Sequence, residues 1–128
     1  MLNDDVQLLI DTATTLLTRE RKFSTFDMEE RASGLLVTVA KLGQVSNDLQ
    51  HQRIEALSLE RASFGSTLAK AEGKNITERK IMADTASEYR DYKKKLETLD
   101  ADLSYLKTMI DVFNNGHVMW RQFSRTEY

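Results

Sequence analysis

The sequence predicts an all-α protein: a short N-terminal helix followed by a long antiparallel, coiled-coil-like helical hairpin that assembles into a helical homo-oligomer. Three observations predict this fold. The 128-residue chain has no proline and only five glycines, and proline interrupts helices while being common in loops. Tyr89, Tyr92, Leu96, Leu99, Leu103, Leu106, Ile110, Phe113, His117 and Trp120 recur at alternating spacings of three and four. All but His117 are aromatic or aliphatic, which is the a/d seam of a heptad repeat and demands a partner helix. A clear turn signal, Gly73-Lys74-Asn75, then separates that seam from a second long helical stretch able to cover it.

The elements follow in order, within a single helical domain spanning 1–128. Over residues 4–22, Val6, Leu9, Ile10, Ala13, Leu16 and Leu17 keep helical spacing. Asn3 or Asp4 supplies the N-cap, and Arg19, Arg21 and Lys22 fall in the last turn, where cations favour the negative end of the helix dipole. Thr12, Thr14, Thr15 and Thr18 lower the intrinsic propensity, so this helix depends on packing. Phe23-Ser24-Thr25-Phe26 breaks the pattern. Ser24 with Asp27 resembles a capping box, with Glu29 and Glu30 well placed in the first turn.

A second helix over 27–72 carries Leu35, Leu36, Val39, Leu42, Val45, Leu49, Ala56, Leu57, Phe64 and Leu68. Gly34 and Gly43 each cost about 1 kcal/mol relative to alanine but permit close helix approach. The turn at 73–75 follows, Gly73 suiting the left-handed position beyond a helix end and Asn75 capping the next helix with Glu78. The third helix spans 76–123, with Ile81, Met82 and Thr85 continuing the seam backwards. Asn114-Asn115-Gly116 ordinarily reads as a stop. Phe113, His117 and Trp120 nevertheless hold their phase across it, which predicts a continuous helix. Two helices of about 45 residues reach about 65–70 Å at 1.5 Å per residue, against about 30 Å for the first. Part of the apolar face therefore stays uncovered, and this surplus predicts the homo-oligomer.

Composition narrows the chemistry. There is no cysteine, so disulfides, thiolate metal sites and thiol catalysis are excluded. No apolar run approaches the roughly 20 residues of a membrane span, and Met1-Leu2-Asn3-Asp4-Asp5 lacks the basic start of a signal peptide. The expectation is a cytoplasmic protein without membrane contact. His51 and His117 stand far apart with no HExxH arrangement, Asp100 and Asp102 point to different helix faces, and Gly73-Lys74 lacks the spacing of a phosphate loop. No catalytic residue, metal site or cofactor is expected, and the protein is read as non-enzymatic.

Net charge is −2, unevenly spread. Residues 1–30 hold seven acidic against three basic side chains, while 31–73 and 74–128 each carry +1. Lys70, Lys74, Arg79 and Lys80 gather at the turn, opposed only by Glu72 and Glu78, and are candidates for phosphate contact. A ring of subunits multiplies such a weak patch. Arg90, Lys93, Lys94 and Lys95 are interleaved with Glu88, Asp91 and Glu97, as on a solvated face with i,i+4 pairs such as Asp91–Lys95. Phe64, Tyr89, Tyr92 and Trp120 are the aromatics suited to stacking on single-stranded bases, although the seam positions of Tyr89 and Tyr92 argue for core.

Thr77-Glu-Arg-Lys-Ile-Met-Ala-Asp84, Glu88-Tyr-Arg-Asp-Tyr-Lys-Lys-Lys95, Leu103-Ser-Tyr-Leu-Lys-Thr-Met-Ile-Asp-Val-Phe113 and Trp120-Arg-Gln-Phe-Ser-Arg125 together resemble phage recombination mediators of the UvsY type. The resemblance spans roughly residues 55–125. It implies a small helical homo-oligomer that binds single-stranded DNA, contacts the recombinase and the single-strand binding protein, and assists recombinase loading, in the host cell cytoplasm if phage-encoded. The family's DNA-contact segment precedes the hairpin turn. Here that is Leu59-Glu-Arg-Ala-Ser-Phe-Gly-Ser-Thr-Leu-Ala-Lys70, in which Arg61 and Lys70 match in kind and Phe64 stands for an aromatic. The segment is less basic than the family pattern. The nucleic-acid-binding set is thus Arg61, Lys70, Lys74, Arg79 and Lys80. The alternative is a helical protein-interaction module, such as a phage inhibitor or adaptor of a host protein, which the acidic N-terminal stretch suits.

Overall fold

A computed structural model describes residues 2–18, 24–70 and 75–126. Among them every regular element is α-helical: α1 (Asp4–Thr15), α2 (Thr25–Lys70), α3 (Ile76–Thr85) and α4 (Ser87–Thr126). No helix among the described residues is long and apolar enough to cross a membrane. Close packing gathers into two units, one formed by 1–47 with 102–128 and the other by 48–101.

Local chemistry accounts for the helix starts. The Asn3 side chain accepts from the Val6 amide at 2.9 Å, with Asp4 and Asp5 in the first turn of α1. At α2 the capping box is reciprocal. The Asp27 amide donates to Ser24 Oγ at 3.1 Å and the Ser24 amide to Asp27 Oδ2 at 3.1 Å. Asn75 opens α3 by accepting from the Glu78 amide at 2.8 Å. Each cap satisfies donors that the first helical turn leaves without a partner.

In the first unit α1, the N-terminal half of α2 and the C-terminal half of α4 share one core. Ile10, Leu35, Leu42, Leu106, Phe113 and Trp120 are its largest enclosed side chains. The predicted first helix, 4–22, is shorter than expected. It ends at Thr15, and Leu16 and Leu17 form a tighter turn with their amides bonded to Ala13 and Thr14 carbonyls at 3.0 and 3.1 Å. The cause lies in the tertiary structure. Trp120 Nε1 donates to the Leu16 carbonyl at 2.8 Å and Arg31 to the Thr15 carbonyl at 3.3 Å. Carbonyls that a helix end must leave open are taken by side chains of α4 and α2. Arg19, Arg21 and Lys22, expected to serve that end, lie outside the described residues.

Gly116 is buried inside α4. A Cβ there would sit 2.4 Å from Leu17 Cδ2 and 3.2 Å from Leu35 Cδ1. The glycine that resembles a stop is therefore a contact point where α1, α2 and α4 converge, and the helix passes through Asn114-Asn115-Gly116 without a break. Beside it, His117 Nδ1 lies 2.9 Å from the Ala32 carbonyl. Since a carbonyl only accepts, Nδ1 carries the proton and donates.

In the second unit the C-terminal half of α2 and the N-terminal half of α4 pack around Ala56, Leu96 and Leu99, with Leu49 and Leu57 partly covered. Arg53 pairs with Asp100, and Phe64 meets Tyr89 with ring centroids 5.2 Å apart. Partners thus step back along α4 as they step forward along α2. The predicted helix over 76–123 is two helices here. Ala86 leaves the helical region at φ −62°, ψ 131°, its amide still bonded to the Ala83 carbonyl, and its own carbonyl accepts the Arg90 amide at 3.0 Å. Alanine is the strongest helix former, so residue 86 itself does not mark this interruption, although Thr85 and Glu88 have the spacing of a capping box.

Candidate nucleic-acid interface

The seam residues are the covered side of α4. Leu96, Leu99, Leu106, Phe113 and Trp120 are buried, and Tyr89, Tyr92, Leu103, Ile110 and His117 are half-buried. This settles which aromatics are available to a ligand. Trp120 has no exposed surface; its indole is held by the Leu16 carbonyl, with the Arg31 guanidinium 5.9 Å from its ring centroid. Stacking of Trp120 on a base is therefore corrected to a packing role. Phe64 and Tyr89 are spent largely on each other.

The basic residues lie elsewhere. Arg61 is exposed on α2, and Lys70 is exposed as its last residue. Arg79 and Lys80 occupy successive positions on α3, half-buried and exposed respectively. Lys74, with the rest of the turn at 71–74, lies outside the described residues.

Two of these cations come together on one feature. An open cleft of about 410 Å³ is lined by Gly65, Leu68 and Ala69 of α2 and by Ile76, Arg79 and Lys80 of α3. All six belong to the second unit. Among the described residues its walls are apolar, and its charge is carried by Arg79 and Lys80. Arg79 Nε is shielded from solvent and has no hydrogen-bond partner, an arrangement that leaves a strong donor unsatisfied. Arg61 and Lys70 do not line the cleft. Arg61 stands one helical turn before Gly65, on the same face of α2 at i,i+4 spacing. The walls at Gly65, Leu68, Ala69 and Ile76 escape a reading that follows charge alone. A glycine deep inside a helical pattern is the signal that points to them.

Among the described residues no group of three or more His, Cys, Asp or Glu side chains is arranged to hold a metal ion. A second pair of clefts lies in the first unit. One, of about 440 Å³, is lined by Leu16, Asp27, Glu30, Arg31 and Gly34. The other, of about 460 Å³, includes Leu9, Ala13, Leu16, Val37 and Lys41. No protein-family model, curated protein or solved structure matches this chain.

Proposed function

We propose that this protein is a phage-type recombination mediator: an antiparallel helical hairpin, assembled as a homo-oligomer, that binds single-stranded DNA through the Arg61–Lys80 region. In this reading it assists recombinase loading against the single-strand binding protein. The observation that carries the proposal is the pairing of Arg79 and Lys80 on an open, apolar-walled cleft. The two cations attract phosphate, and the apolar walls suit unpaired bases better than a duplex exterior. The resemblance of residues 55–125 to UvsY-type mediators supports the same assignment.

Fluorescence anisotropy with labelled single-stranded oligonucleotides at low and moderate salt tests it, combined with light scattering for the oligomer. Binding that weakens with salt is the expected result; no binding even at low salt sinks the proposal. A second reading, a protein-interaction module, draws on the first unit. There Asp27 and Glu30 flank a cleft whose apolar part includes Leu16. A stoichiometric protein partner recovered without nucleic acid favours that reading.

A further inference from the structure

We infer that the cleft between the end of α2 and the start of α3 holds one nucleotide unit of a single strand. Its base lies against Leu68 and Ile76 over Gly65, and its phosphate rests on Arg79 and Lys80. This rests on the single-stranded DNA reading above and specifies which part of the strand enters the protein.

Three features carry the inference. The cleft volume of about 410 Å³ falls within the range of small-ligand pockets, about 300–1,000 Å³. The second feature is Gly65. It sits exposed inside α2, where glycine is the poorest helix former after proline. A Cβ at 65 would meet nothing within 4 Å, so no packing within the protein calls for its absence, in contrast to Gly116. A bare backbone along one wall of a cleft is what a flat ligand needs for close approach.

The third feature is Arg79. It lines the cleft, and its planar guanidinium fork matches phosphate oxygens. Lys80 adds a second cation on the same rim. A bare anion would use these two residues alone. Ile76, 70% exposed in the first turn of α3, and Leu68 add an apolar surface that the base of a nucleotide can cover. A duplex keeps its bases stacked inside and offers the cleft phosphate only, so the arrangement selects for single strands.

The test compares a labelled oligothymidylate with a strand of equal length built from abasic sugar–phosphate units, titrated by anisotropy against the full chain. The abasic strand is expected to bind about tenfold more weakly, the order expected when apolar surface is left uncovered. Gly65→Leu projects a side chain into the cleft and retains helicity, since leucine is the better helix former. It should bring oligothymidylate binding down to the abasic level and leave abasic binding unchanged. Arg79→Gln should weaken both strands and lower the salt slope by about one. Equal affinity for the two strands overturns the inference while the single-stranded DNA reading stands. Failure to bind either strand at low salt removes that reading and the inference with it. Displacement of oligothymidylate by micromolar thymidine monophosphate would reassign the cleft to a free nucleotide and also overturn the inference.

Discussion

The two packed units of this protein are built to different standards. Among the described residues the six largest fully enclosed side chains, Trp120, Phe113, Ile10, Leu35, Leu42 and Leu106, all belong to the unit formed by 1–47 and 102–128. The unit formed by 48–101 relies on Ala56, Leu96 and Leu99, with the two leucines still 8% and 6% exposed. Apolar burial scales with the area taken from water, so the first unit anchors stability. The second carries the open cleft and an interrupted helix. Binding surfaces drawn from the less stable part of a fold are the general pattern, because a groove that admits a ligand is surface a core has not used.

The sharpest way to break this contrast is to truncate a large side chain in each unit. Trp120→Ala removes the largest buried ring and leaves the Leu16 carbonyl open, and should cost about 3–5 kcal/mol in urea denaturation. Leu99→Ala should cost about 2 kcal/mol, at the lower end for leucine, because its surroundings are small and partly wet. Equal losses would end the distinction.

The glycines give the next largest difference. Gly116→Leu forces Leu17 and Leu35 to move and should destabilise by about 2 kcal/mol. Gly43→Ala, whose Cβ would meet nothing within 4 Å, should stabilise by up to about 1 kcal/mol through helix propensity alone. Thermal melts followed by circular dichroism compare the two, and a stabilising Gly116→Leu would show that the convergence of α1, α2 and α4 is loose. The smallest effect is expected at Arg53–Asp100. Both side chains are substantially exposed, at 40% and 54%, so Arg53→Ala should change stability by less than about 1 kcal/mol, and by less still in high salt. Hydrogen exchange maps the contrast directly, with slower amide exchange expected over 106–120 than over 76–96.

What the sequence by itself determined is local or periodic. Asn3, Ser24 with Asp27, and Asn75 each sit within three residues of the amide they cap, so their roles were legible without any fold. The seam from Tyr89 to Trp120 was legible because helical periodicity turns spacing into a face. The positions of Arg79 and Lys80 were legible as charge, but the cleft they share was not, since its other wall comes from α2.

The tertiary structure alone decided two things. It ended α1 at Thr15, because Trp120 and Arg31, more than fifteen residues away along the chain in each case, occupy its last carbonyls. It also turned Gly116 from a stop signal into a point of contact, because Leu17 and Leu35 fill the space a side chain would take. In both the deciding atoms are distant in sequence, and a pattern read along one helix does not contain the atoms of the helices packed against it.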